Sequence, residues 1–123
     1  MKEELIIMFL QAQTQFRILH WQTTSFARHK AYGEIYDSLD ENIDMFVEAC
    51  QGKYGRFKFK NKTANIQLFN LKSLEINSFL STFIDFLKNL NSEFSSEEDS
   101  DLLNIRDEML GDINKLKYLL TLK

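Results

Sequence analysis

The sequence predicts an all-α domain of four helices, and three observations lead to this fold class. The 123-residue chain has no proline and four glycines, so residues that interrupt helices are scarce. Its length suits one domain with a substantial core and is too short for two of ordinary size. Four segments repeat apolar residues at intervals of three and four. We therefore expect a single domain over residues 1–123, with helices over 2–23, 26–51, 73–91 and 96–121.

The first helix is predicted by an apolar stripe that ends just before a histidine. His20 follows this stripe, so its ring should lie toward, or at the edge of, the bundle interior. Hydroxyl side chains at 23–25 then mark a boundary, and we expect Ser25 to cap the next helix. The stripe itself consists of Leu5, Phe9, Ala12, Phe16 and Leu19.

The second helix, 26–51, carries an apolar seam with alternating intervals of four and three residues. At about 100° per residue, His29 lies close to this seam, Asp40 beside it, and an acid pair one turn apart on one flank. We expect Gly52 to end the helix as a left-handed cap. The seam consists of Tyr32, Tyr36, Leu39, Ile43, Phe46 and Cys50, and the acid pair of Asp44 and Glu48.

The segment over 52–72 changes character and is predicted to connect the second and third helices. Between Lys53 and Lys62, basic and aromatic residues alternate with period two, which would suit a short hairpin. We favour an extended crossover, because about twenty residues are enough to run the length of a bundle. Its aromatic residues would then fold onto the helices while the lysines stay in water.

The last two helices are predicted by broad apolar faces over 73–91 and 96–121. The third has no histidine and few acids, so we assign it a structural role. The fourth begins where Ser95 and Ser96 precede a run of acids favourable to a helix N-terminus. Its Asp107-Glu108 pair has no histidine beside it, and therefore lacks the Glu-x-x-His motif of an internal di-iron centre.

Net charge, the length of the apolar run near the start and the number of cysteines argue against several classes of function. The net charge of −3 argues against a general nucleic-acid binder, although the basic segment from Lys53 to Lys62 is a candidate contact for nucleic acid or a protein partner. The apolar run near the start is too short to span a membrane, and no small-residue cleavage site follows it, so we do not expect a signal peptide. Cys50 is the single cysteine, which is typical of a reducing compartment. We therefore expect a cytoplasmic protein.

Both histidines lie within ten residues, and carboxylates follow them at helical spacing. Imidazole nitrogen and carboxylate oxygen are the ligands that a helix bundle offers to a divalent transition metal. Because the acids flank the core, they suit a site shared with a neighbouring helix or subunit. The candidate ligands are His20, His29, Asp44 and Glu48, with Asp37 and Asp40 as additional helpers.

A pattern over residues 16–52 supports this interpretation. A His-Trp pair (His20 and Trp21) ends the first helix, His29 opens the next after Phe26 and Ala27, and an acid pair follows further along. In this pattern the chain resembles the ferritin-like DNA-protection-during-starvation proteins, called Dps. A short Ser-Phe-Ala-x-His link and the run over 51–56 also resemble a small family of tailed-phage proteins.

The Dps resemblance implies a ferritin-like bundle with a long crossover and a metal site at a dimer interface. His20 and His29 would come from one chain and Asp44 and Glu48 from its mate. The implied cofactor is iron as Fe²⁺ and Fe³⁺, with Mn²⁺ or Zn²⁺ as alternatives. The implied activity is ferroxidase with iron storage or detoxification. The implied assembly is a homo-oligomer. A dimer is the smallest assembly that would contain the shared site, and the assembly of Dps proteins is a dodecamer.

This chain departs from Dps proteins in two ways. The link between the histidines is three residues shorter, and Gly33 stands where Dps proteins have an aspartate ligand. Glu34 or Asp37 are candidates to replace that oxygen, and both one-metal and two-metal sites stay open. The alternative is an inactive helical interaction protein of phage type, in which the histidines and acids form hydrogen bonds at an interface.

Overall fold

The computed structural model describes residues 2–122, and all regular secondary structure in that range is helical. The helices are α1 (Glu3–Gln22), α2 (Phe26–Tyr54), α3 (Ser73–Asn89) and α4 (Ser100–Leu119). A single 3₁₀ turn, Leu90–Ser92, tightens the chain after α3. The predicted all-α class and the number of four helices are confirmed.

The helices pack around one apolar core. α1 lies against α2, α2 against α4, and α3 against α4. Phenylalanine rings from three helices meet at its centre, where Phe9 contacts both Phe46 and Phe86 edge-on, with ring centroids 5.3 and 5.2 Å apart. The predicted stripes of the first two helices supply much of this core. Its fully buried large side chains include Phe9, Phe16, Tyr32, Leu39, Phe46, Phe83, Leu102 and Met109.

Two helix ends differ from those predicted from the sequence. α2 continues past Gly52 to Tyr54, and the positive φ of +90° falls at Gly55, so the expected cap at Gly52 is wrong. α4 begins at Ser100 rather than near Ser96. The Ser95 hydroxyl caps a turn instead, accepting from the backbone of residues 97 and 98. Ser25 caps α2 as expected, because its hydroxyl accepts from the Arg28 N–H at 3.2 Å.

A buried carboxylate joins the end of α2 to the start of α4 and explains both shifts. Asp99 accepts hydrogen bonds from the Tyr54 hydroxyl and, at 2.9 Å, from the Ser95 N–H. Lys53 lies 3.3 Å from the same carboxylate and donates to Asp101 at 2.6 Å. The Tyr54 hydroxyl, the Ser95 N–H and Lys53 together lower the pKa of Asp99. The last turn of α2 is therefore held by the turn before α4.

The crossover over 55–72 is extended and runs along α1 from its beginning to its end. Its main chain is held by side chains of α1: Glu3 accepts from the Lys60 N–H and Gln11 from the Gln67 N–H, both at 2.9 Å. Gln15 both accepts from and donates to the main chain of Phe69, each at 2.9 Å. The hairpin alternative does not form, since residues 55–72 contain no strand. The chain thus starts α3 at the same end of the bundle at which α1 stops.

Candidate functional site

The two histidines face each other across the turn between α1 and α2. Their rings are stacked, with centroids 3.8 Å apart and planes 17° apart. The Nδ1 atom of His20 bonds to the carbonyl oxygen of His29 at 2.6 Å, and Nδ1 of His29 bonds to that of His20 at 2.8 Å. The structure therefore brings together the two histidines that the sequence singled out, and both rings are half-buried.

These bonds determine which nitrogen of each imidazole ring carries a proton. A carbonyl oxygen only accepts, so Nδ1 must carry the proton in both histidines. In the neutral form the lone pair then sits on Nε2, which is the arrangement that a metal-binding histidine needs. The site therefore offers two imidazole nitrogens whose protonation pattern is set by the main chain.

The His20 ring packs against Gly33 of α2. A Cβ atom added at Gly33 would lie 3.0 Å from Cε1 and 3.1 Å from Nδ1 of His20, closer than ordinary packing allows. The ring therefore lies almost directly against the backbone of α2. From the sequence, Gly33 was expected only to remove an acid ligand, whereas in the structure its missing side chain leaves room for the His20 ring. A side chain at this position would require the His20 ring to shift.

The acid pair lies far from His29 along α2. Asp44 is fifteen residues after His29, which corresponds to about 22 Å at 1.5 Å per residue. Asp44 and Glu48 are exposed, and both lie near the start of the crossover, since Asp44 lines a groove with Phe57 and Glu48 lines one with Arg56. Within residues 2–122, no three histidine, cysteine or carboxylate side chains are close enough to hold one metal ion. One chain therefore carries two separated groups of candidate ligands, a histidine pair and an acid pair.

The two additional acids differ in their surroundings. Asp40 accepts a hydrogen bond from the Gln13 amide at 2.9 Å, so it ties α2 to α1. Asp37 is exposed, and by helical spacing it lies on the same side of α2 as Asp44 and Glu48. Asp37 lies between the histidine pair and the acid pair, about two turns from each along α2.

Aromatic and cationic side chains outside the expected ligand set lie on the same two helices as the histidines, and the Phe26 ring is 6.5 Å from that of His29 between centroids. The Arg17 guanidinium lies 3.9 Å from the centroid of the Tyr36 ring and 5.7 Å from that of Trp21. Trp21 and Phe26 expose 66% and 75% of their surface, respectively. The spacing of four between Arg17 and Trp21 was the available signal, because such residues share a helix face.

The basic segment of the crossover divides into anchored and exposed parts. Lys53 belongs to α2 and is held by Asp99 and Asp101. Phe57 is half-buried and lies beside Asp44 in a groove between α1 and α2, and its ring contacts that of Phe59 edge-on. The other cations of this segment are exposed, namely Arg56, Lys58, Lys60 and Lys62.

None of the helices within residues 2–122 combines the length and the apolar character needed to cross a bilayer.

Comparison with known proteins places this chain in a wider group. The model of a family of unknown function, DUF5856, matches residues 20–120. The chain is also similar to a protein of Enterobacteria phage T4, described as an uncharacterized 14.6 kDa protein in the mobD-ri intergenic region. The two are 27% identical over 121 residues, which cover 98% of this chain and 88% of the phage protein. No solved structure matches. The expected likeness to a phage protein family is confirmed.

Proposed function

The chain belongs to DUF5856, a family of unknown function, and we propose that it is a ferritin-like, Dps-like protein that binds divalent metal between two copies. The observation that carries this proposal is the reciprocal bonding of His20 and His29. In both rings a main-chain carbonyl holds the Nδ1 proton, which leaves Nε2 as the ring nitrogen able to bind a metal.

The path of the chain also supports a ferritin-like arrangement. Ferritin-like bundles need a long connection that returns the chain to the other end of the bundle. The crossover of this chain does so, since it is held to Glu3 near the beginning of α1 and to Gln15 further along it.

The separation of the ligands requires a second copy. A histidine pair supplies two ligands, whereas transition metals in proteins usually take four or more. If two α2 helices pack antiparallel, His29 of one chain lies opposite Asp44 and Glu48 of the other. The two-fold axis then passes near Asp37, which is midway between these groups. Each dimer would contain two such sites.

In this proposal the imidazoles and the carboxylates have different roles. The imidazoles and the carboxylates bind Fe²⁺ as a substrate, and the charge of Asp44 and Glu48 favours the more highly charged Fe³⁺. An oxidant, dioxygen or peroxide, accepts the electron that each Fe²⁺ loses. Mn²⁺ or Zn²⁺ would occupy the same ligands without turnover of this kind.

The decisive experiment compares metal content and iron oxidation in matched variants. The double variant His20→Ala/His29→Ala should lose bound Zn²⁺ or Fe²⁺ in elemental analysis after gel filtration. The control, Asp107→Asn/Glu108→Gln, changes two exposed acids on α4 and should keep the metal. Equal metal content in the histidine variant and the wild type would refute the proposal. Aerobic oxidation of Fe²⁺, followed by absorbance, then tests ferroxidase activity separately.

A second candidate function is a helical interaction protein of phage type without enzymatic activity. The exposed Trp21 and Phe26 favour it, because exposed aromatic side chains are common anchors in protein interfaces. In that case neither metal content nor iron oxidation would exceed that of buffer. Removal of Trp21 would weaken partner binding without changing metal content.

A further inference from the structure

An open cavity lies at the end of the bundle where α1 turns into α2 and where α3 begins. Its volume is ≈ 570 Å³, within the range of roughly 300–1,000 Å³ typical of small-molecule sites. Arg28 and Lys72 line it with positive charge, and Thr23, Thr24 and Ser73 add hydroxyl groups. None of the lining residues is acidic, although the chain as a whole has a net charge of −3.

The guanidinium of Arg28 is fixed at the wall of this cavity. It donates to the Leu120 carbonyl oxygen at 3.3 Å and to the Tyr32 hydroxyl at 3.5 Å. A guanidinium has five N–H donors, so these two contacts leave others for a ligand. Within residues 2–122, no carboxylate forms an ion pair with Arg28 or Lys72. The two cations therefore line the cavity without an ion-pair partner in this part of the chain, and a carboxylate close to Lys72, that of Glu75, accepts instead from the Lys72 backbone N–H at 3.1 Å.

We propose that this cavity binds a phosphate group, as free inorganic phosphate or as a phosphate monoester. Guanidinium groups match phosphate oxygens with paired N–H donors, and a lysine adds a point charge. The hydroxyls of Thr23, Thr24 and Ser73 can donate to the remaining oxygens. Neither histidine lines this cavity, and phosphate binding there does not require a bound metal.

Titration of the full chain with inorganic phosphate, followed by ¹⁵N amide NMR and calorimetry, tests this site. We expect saturable shifts at the amides of residues 23–25 and 72–73. Arg28→Gln should weaken phosphate binding about ten- to a hundredfold, as expected for the loss of a charged hydrogen bond. Lys72→Gln should weaken it about tenfold, and Lys72 is exposed, so this variant tests the proposal if Arg28→Gln fails to fold.

Lys30→Gln is the matched control, because it removes the same charge from the outer face of α2. It should leave phosphate affinity within about twofold of the wild type. An equal loss in the control would identify unspecific attraction and overturn the proposal, as would the absence of saturable shifts. A parallel titration with ribose 5-phosphate distinguishes the sources: tighter binding than inorganic phosphate assigns the site to a monoester, and weaker binding assigns it to the free ion.

Discussion

His20 and His29 each bond through Nδ1 to the main-chain carbonyl oxygen of the other, at 2.6 and 2.8 Å. The two residues lie on different helices, so this pair of bonds also locks the turn between α1 and α2. The same contacts therefore set the helix geometry and the ligand atoms. A change that disturbs one ring should disturb both.

Substitution of Gly33 tests whether the His20 ring packs against the backbone of α2. Replacing a helical glycine by alanine normally stabilises a helix by about 1 kcal/mol. Gly111→Ala on α4 should show this gain, since nothing lies within 4 Å of the added Cβ. Gly33→Ala should instead be neutral or destabilising, because its Cβ meets His20 at 3.0 Å. Urea unfolding followed by circular dichroism measures both, and equal gains would contradict the packing described.

A cysteine at position 37 tests the antiparallel dimer. If the two-fold axis passes near Asp37, the Asp37→Cys variant should form a disulfide-linked dimer under mild oxidation in the presence of divalent metal. Helices packed about 8–10 Å apart bring facing residues within disulfide reach. Glu108→Cys on exposed α4 is the control, and the native Cys50 is buried. Cross-linking of Asp37→Cys no faster than the control would argue against this dimer.

Acid unfolding should depend on Asp99. Its pKa is lowered in the folded chain, first by the Tyr54 hydroxyl and then by the Ser95 N–H. A lowered pKa adds stability above the unfolded value of about 3.9, and that stability is lost as pH falls through the folded pKa. Stability of the wild type should therefore fall more steeply below about pH 5 than that of Asp99→Asn. Tyr54→Phe should give an intermediate slope, and identical slopes in all three would refute the assignment.

Arg106 should contribute more to stability than its exposed neighbour. Its buried guanidinium donates to the Leu87 carbonyl oxygen at 2.9 Å and to Asn91 at 2.8 Å, near the end of α3. Arg106→Met removes these bonds and should destabilise the chain by about 1–3 kcal/mol. Asp107→Asn removes only the ion pair to a 61% exposed carboxylate, and should cost less than about 1 kcal/mol. Chemical denaturation of the two variants gives this comparison.

Much of the helical framework followed from the sequence because apolar spacing reports directly on burial. Phe9, Phe16 and Phe46 are completely buried, as their periodicity predicted. The helix ends were harder, since they depend on contacts between distant residues. Gly52 and Gly55 look alike in sequence, and the bonds of Lys53 and Tyr54 to Asp99 explain why the helix continues to Tyr54.

The candidate site was only partly accessible to sequence reasoning. The spacing of His20 and His29 predicted their proximity, but not that each ring bonds to the other's main chain. The role of Gly33 was missed because a glycine in a helix has no side chain whose pattern could be read. Arg17 and Tyr36 lie on different helices, so their contact required the packing of α1 on α2.

The crossover is attached to α1 mainly through its own main chain, at Lys60, Gln67 and Phe69. The partners on α1 bind peptide groups, which every residue except proline offers in full. Substitutions along this segment can therefore alter what the surface presents without rerouting the chain. Exchange of the exposed side chains of this segment would therefore change the charge and shape of the surface along α1, while α3 would still begin at the same end of the bundle.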